Sequence, residues 1–189
     1  WPSYLDDPCF HAADLSFTII RNPYDLLVSY YSHYNVVEAK NWTDRGWAHV
    51  NGYHQLTHFD EFVRLYCSCD PEDWHVPSLN RNLFGQIFDD NNKLSVDYAI
   101  RLENLHEGLT ILTDMLTEDD SDCRIESILP IDNPSRHRHV GPYQNLYTSE
   151  LQELVEKKCS AELSIFNYTF LEENINRNSP IIDLKTLDL

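Results

Sequence analysis

Glycine and lysine are both scarce in this chain, with five of each among 189 residues. So few glycines, alongside nine prolines, exclude a collagen-like or low-complexity chain. Positive charge as a whole is short. Fourteen Lys and Arg stand against 31 Asp and Glu, for a net charge of -17. A surface this acidic repels phosphate backbones, which excludes a general nucleic-acid binder. Any anionic ligand must therefore be held by a local cluster of donors working against the global field. No apolar run approaches the roughly twenty residues of a membrane span. The five cysteines (Cys9, Cys67, Cys69, Cys123, Cys159) contain no CxxC pair and no dense disulfide framework, and their odd number favours reduced thiols.

What is present suits a globular domain. Hydrophobic residues make up 42% of the chain, enough for one real core and too few residues for two comfortable domains. The reading is a single domain over residues 1–172 and a partly ordered tail over 173–189. Residues 15–20 (Leu-Ser-Phe-Thr-Ile-Ile) form a short β-branched run, read as a buried strand. It stops at Arg21-Asn22-Pro23, where Asn22 suits an N-cap, Pro23 the first helical position and Asp25 the first turn. A helix then extends to about Tyr34. Residues 59–67 predict a short amphipathic helix with Phe59, Phe62, Val63 and Tyr66 on one face. Residues 79–88 read as helical, and 95–102 as a strand in which Val96, Tyr98 and Ile100 alternate with polar residues. A helix over 103–116 carries Leu105, Leu109, Leu112 and Leu116. Thr148 is placed to cap a long amphipathic helix through Leu151, Leu154, Val155, Cys159 and Leu163. The segments 41–57, 118–122 and 128–147 read as irregular. Strand-to-helix alternation points to a three-layer α/β architecture.

The strongest chemical signal is the first strand-turn-helix unit. The carboxyl end of a strand meeting a helix N-terminus favours an anion, because unpaired N–H groups and the helix dipole both point there. Arg21 stands at that junction with a planar fork of donors, and Ser29 lies two turns along the helix. On the residues alone an Arg paired with Asp25 and a Ser facing solvent account for the pattern equally well. Ser135, Arg136, His137, Arg138 and His139 are the densest donor cluster in the chain, and a solvated basic patch is the plain alternative there too. His49, His54 and His58 with Cys67 and Cys69 raise a metal-binding alternative, but no HExxH pattern is present and Cys-x-Cys is poor zinc spacing. Two N-x-T sequons, at Asn41 and Asn167, are too short to carry weight.

The run Phe17-Thr-Ile-Ile-Arg21-Asn-Pro-Tyr-Asp25-Leu-Leu-Val-Ser29-Tyr-Tyr resembles the 3′-phosphate-binding motif of sulfotransferases that use PAPS (3′-phosphoadenosine 5′-phosphosulfate). Three later stretches agree in order. Val96 through Leu105 resembles the family's strand ending in Glu-Asn/Asp-Leu, and Asn133 through Arg138 its late nucleotide-covering loop. Residues 147–151 and 166–170 resemble its closing helix and that helix's end, with Asn167 in place of the usual Gly. The likeness runs from about residue 17 to 170 and is nearest the carbohydrate-type and bacterial-type branches, although Leu26 stands where many carbohydrate sulfotransferases carry an arginine.

The resemblance implies a mainly parallel sheet flanked by helices, of the P-loop-NTPase-like kind. It also implies that Arg21 and Ser29 hold the 3′-phosphate of PAPS or 3′,5′-ADP, and that Ser135, Arg136 and Arg138 cover the nucleotide. The implied activity is sulfuryl transfer to a hydroxyl, or less readily an amine, of a carbohydrate or small molecule. Trp42, Trp47, Tyr53 and Trp74 are available for stacking on a sugar or for the core. The family cradles the 5′-phosphosulfate in a Lys- and Gly-bearing loop upstream of this motif. The five lysines here (Lys40, Lys93, Lys157, Lys158, Lys185) all follow Arg21. The chain is therefore read as the C-terminal part of such an enzyme, with the alternative that it is a non-catalytic nucleotide-binding remnant. His11, the sole histidine before Arg21, is the candidate base. Trp1 rather than Met opens the chain, so an anchor is expected, if anywhere, upstream. The chain as given is read as soluble, in the cytoplasm or, with such an anchor, in the Golgi lumen.

Overall fold

The computed structural model describes residues 15–34, 58–68, 87, 94–117, 142–171 and 179–187. The chain is α/β, with helices and a small mixed sheet. Its described elements belong to two compact units, one drawn from residues 1–21, 81–132 and 173–189, the other from 22–80 and 133–172.

The first unit holds the sheet. Strand β1 (Phe17–Ile20) pairs in parallel with β2 (Tyr98–Arg101), in the register Phe17↔Tyr98 to Ile20↔Arg101. Strand β3 (Ile181–Asp183) adds to the other side of β2 in antiparallel fashion, Ile100 opposite Ile181. Thus part of the stretch read as a tail belongs to the described sheet. A parallel pair needs a long crossover, which here is the chain between Ile20 and Tyr98.

A 3₁₀ turn (Leu102–Asn104) separates β2 from helix α3 (Leu105–Thr117), so the strand does not feed directly into α-helix at Glu103. Leu109 and Leu112 bury against Ile100, with Leu105, Leu116, Leu15 and Ile181 around them. This is the helical face that the leucine spacing implies. Burial on β2 departs from the expected alternation. Ala99, Ile100 and Arg101 are all buried while Tyr98 is only partly so, as suits the central strand of the three. The expected burial of the first strand holds only at Ile20. Phe17 and Ile19, which share one face of β1, are 40% and 41% exposed, and Ile20 on the other face is buried.

The strands are also tied at their starts. The Asp97 carboxylate accepts from the backbone N–H of Ser16 at 2.8 Å and from its hydroxyl at 2.9 Å, and pairs with Lys185 in the turn that follows β3.

The second unit is helical with an aromatic core. Helix α1 spans Pro23–Tyr34, α2 Phe59–Ser68, α4 Ser149–Lys158 and α5 Ser160–Ile165. Phe59, Phe62, Val63 and Tyr66 on α2 are all buried, the face expected from their spacing. They pack with Tyr24 and Leu27 of α1, Leu151 and Val155 of α4, Tyr143 of the 3₁₀ turn before it (Tyr143–Leu146) and Tyr147, which follows that turn. Thr148 caps α4, accepting from the Leu151 N–H at 3.3 Å.

The single long helix expected beyond Thr148 is two helices, because Cys159 leaves α-helical geometry at φ -107° and ψ 25°. Of the stretch read as helical over 79–88, Ile87 alone is described, in helical conformation. The irregular segments at 41–57 and 118–122, and most of 128–147, lie outside the described residues.

Candidate functional site

The junction that carries the first motif is built as its residues require. β1 ends at Ile20 and α1 begins at Pro23, leaving Arg21 and Asn22 between them. Asn22 has the two marks of an N-cap. Its carbonyl accepts from the Leu26 N–H at 2.9 Å, and its Oδ1 accepts from the Tyr24 N–H at 3.1 Å. Pro23 follows at the first helical position, where its missing N–H removes no bond. Asp25 lies in the first turn, on the favourable side of the helix dipole.

Arg21, partly buried, closes the first unit's β1 segment, and Ser29, also partly buried, lies on α1 of the second unit. Because β1 and β2 are parallel, their carboxyl ends lie at one end of the sheet. Arg21 and the Leu102–Asn104 turn therefore emerge from the same end of the first unit.

Two further side chains, one in each unit, stand out, and neither is marked by the sequence. Arg101 closes β2 and is 4% exposed. Its Nε donates to the Ser179 carbonyl at 3.0 Å, and its backbone N–H donates to the Pro180 carbonyl at 3.0 Å. It thus ties β2 to the approach of β3. The Val-Asp-Tyr-Ala-Ile-Arg run places it on a strand, but nothing local marks its partner nearly eighty residues away.

Tyr143 is the second. It is buried in the second unit, follows directly on the Gly141-Pro142 pair, and accepts from the Asn22 side chain. Around it, Tyr24 stacks parallel at a centroid distance of 6.5 Å, and Tyr147 and Phe170 meet Tyr24 edge-on at 5.3 and 5.0 Å. Aromatic pairs of this kind add roughly 0.5–1.5 kcal/mol each beyond their burial. Tyr147 also donates to the Tyr24 carbonyl at 2.9 Å, and burial pushes its phenol well above the ordinary range.

Asn167 stands at the turn that leaves α5. It has φ 50°, the left-handed region that Gly and Asn occupy most readily, and the chain turns there from α5 to place Tyr168 inward and Phe170 on the aromatic cluster.

Other expected positions are scattered or not described. Ser135, Arg136 and Arg138, with His137 and His139, lie outside the described residues, as do His11 and the aromatics Trp42, Trp47, Tyr53 and Trp74. His49, His54 and Cys69 of the metal alternative lie outside them too, and His58 is exposed just before α2. Among the described residues no group of three or more His, Cys, Asp or Glu side chains is arranged to hold a metal ion. Cys67 and Cys159 are unbridged thiols, and burial pushes them up to about 11 and about 12, so neither is a ready nucleophile or ligand. Among the described residues no helix is long and apolar enough to cross a membrane.

No protein-family model, curated protein or solved structure matches this chain.

Proposed function

We propose that the chain carries the 3′-phosphate half of the cofactor site of a PAPS-dependent sulfotransferase. The observation that carries the reading is the first junction: a strand ending before Arg21, an Asn22-capped helix starting at Pro23, and Ser29 two turns along it. Local structure agrees with the motif at each of these points. The parallel pairing of β1 with β2, the two strands whose sequences resemble family strands, supports the finer fold reading of a mainly parallel, P-loop-NTPase-like sheet flanked by helices.

In this reading Arg21 supplies charge-assisted hydrogen bonds to the 3′-phosphate, and the Ser29 hydroxyl donates to the same group. Ser135, Arg136 and Arg138 cover the nucleotide. The reaction is in-line displacement at sulfur. The acceptor oxygen forms the new S–O bond as the bond from sulfur to the 5′-phosphate oxygen breaks, 3′,5′-ADP leaves, and the acceptor proton passes to a base. The acceptor is a hydroxyl of a carbohydrate or small molecule.

Calorimetric titration of 3′,5′-ADP against 5′-AMP tests the assignment on its distinctive group. Charge-assisted bonds of about 1.5–3 kcal/mol imply a preference for the 3′-phosphorylated nucleotide of roughly tenfold to a hundredfold, largely abolished in Arg21→Ala. Equal affinity of the wild-type protein for the two nucleotides would refute the cofactor assignment.

A further inference from the structure

Asn22 does more than cap a helix. It is 1% exposed, and both N–H groups and the oxygen of its carboxamide are engaged. Oδ1 accepts from the Tyr24 N–H at 3.1 Å, while Nδ2 donates to the Tyr143 hydroxyl at 3.2 Å and to the Thr169 carbonyl at 3.0 Å. The Tyr143 hydroxyl passes its own proton on, donating to the Phe170 carbonyl at 2.7 Å. One buried side chain therefore fixes the first turn of α1 against two segments more than a hundred residues away, the 3₁₀ turn at Tyr143–Leu146 and the chain that leaves α5. The aromatic contacts of Tyr24 with Tyr143 and Phe170 bring the same three segments together through packing.

A helix is stiff along its axis, so whatever sets its first turn also sets a side chain two turns on. Ser29 lies seven residues after Asn22, about 10 Å along α1. A hydroxyl that must meet one phosphate oxygen loses its bond when displaced by a fraction of that distance.

We infer that Asn22 and Tyr143 are positioning residues for the 3′-phosphate site, holding α1 so that Ser29 meets the phosphate; this rests on the sulfotransferase reading. The two roles of Asn22 are chemically separable. An aspartate caps a helix as well as an asparagine does and suits the helix dipole better. It has no N–H to donate, however, so Asn22→Asp sets a carboxylate oxygen against the Thr169 carbonyl and competes with Phe170 for the Tyr143 proton. Tyr143→Phe keeps the ring and its stacking while removing the relay to Phe170.

The experiment measures the ratio of 3′,5′-ADP to 5′-AMP affinity in the full chain for wild type, Asn22→Asp, Tyr143→Phe and Arg21→Ala, with thermal unfolding of each recorded alongside. The ratio is expected to fall about tenfold in Asn22→Asp and about threefold in Tyr143→Phe, the scale of losing buried hydrogen bonds. Tyr143→Phe keeps the proposal testable should the aspartate variant fail to fold. If both variants, or Tyr143→Phe alone when the other is unfolded, keep the wild-type ratio and lose only melting temperature, the network is structural and the inference is overturned. The sulfotransferase reading then stands or falls separately on the wild type and Arg21→Ala. A wild type without preference refutes that reading and takes this inference with it.

Discussion

Adding one methyl group to α3 is expected to weaken the first unit even though it improves the helix. Gly108 lies within α3 where the helix meets β2 and the chain entering β3. An ideal Cβ at this position falls 2.4 Å from Ile100 Cγ2 and 3.2 Å from the Pro180 carbonyl oxygen. Carbon–carbon contact is comfortable at about 3.5–4.0 Å, so the first approach is short by more than an ångström. Neither neighbour yields cheaply. Ile100 is fully buried, and Cγ2 is attached directly to its Cβ on a β-branched side chain with a stiff χ1. The Pro180 oxygen is backbone and already accepts from the Arg101 N–H.

Relief therefore requires α3 to move off the sheet, at an overpacking cost of about 1–3 kcal/mol, with an overlap this deep at the upper end. Against this, Ala gains about 1 kcal/mol over Gly in helix propensity. Gly108→Ala should lower stability by about 2 kcal/mol net. The assay is urea unfolding followed by far-UV circular dichroism, with hydrogen exchange of the α3 amides to place the loss in the first unit. A double-mutant cycle with Ile100→Ala isolates the contact. Ile100→Ala alone should cost about 2–5 kcal/mol by opening a cavity. In the double variant the new methyl enters that space, so the combined loss should fall short of the sum of the singles. Gly108→Ala as stable as wild type, or more so, would show that propensity governs this site and that the close approach does not.

Two buried or clamped carboxylates should give opposite responses to pH. Burial alone would raise Asp97, but the Lys185 ammonium and the two Ser16 donors outweigh it and hold it below the usual carboxylate range. Its stabilisation is therefore present above the unfolded value of about 4 and is lost as pH falls through the lower folded value. Asp97→Asn should destabilise at neutral pH and flatten the acid limb of the urea midpoint between pH 5 and pH 2 (roughly); unchanged acid slopes would count against the clamp. Glu162 on α5 is buried, and desolvation raises it despite the opposing pull of its own backbone N–H and of Lys158. Its contribution is fully present below the unfolded value of about 4.3 and is lost as pH rises through the higher folded value. Glu162→Gln should thus be more stable than wild type at pH 7 and converge with it near pH 3.5 (roughly), and a variant less stable at pH 7 would contradict this.

Local signals and long-range pairings divide what could be read from the sequence. The buried face of α2, the leucine face of α3, and the caps Asn22 and Thr148 all follow from residues within one or two turns of each other. Strand β3 does not. Three residues, Ile181-Ile182-Asp183, sit in a polar terminal stretch, and their stabilisation comes from the backbone of β2 and from Lys185 reaching Asp97. The exposure of Phe17 and Ile19 is illegible for a similar reason, since an apolar β-branched run reads the same whether one or both faces of the strand are covered. The break at Cys159 had no marker. No Gly or Pro interrupts the periodic run from Leu151 to Leu163, and Cys159 is itself buried in the core that the run builds.

The candidate site divides along the same line, and Asn22 shows where. As a cap it is a local feature, and either Asn or Asp before Pro23 would announce it equally. As a donor to Tyr143 and Thr169 it is a long-range feature, and there the two residues differ in kind, because only the amide has protons to give. A motif written as "Asn or Asp, then Pro" thus combines a requirement that both residues meet with one that only asparagine meets. In this chain the surroundings select asparagine: the Thr169 carbonyl can only accept, and the Tyr143 hydroxyl has committed its proton to Phe170. The same kind of selection acts at Asn167, where the backbone takes φ 50°, a conformation that asparagine tolerates better than most side chains. Residue type at each position is thus set by the second unit's packing as much as by the anion that Arg21 and Ser29 are proposed to hold. Packing within the second unit accounts for asparagine at both positions, whereas the proposed role of Arg21 rests on its charge, which Arg21→Ala removes.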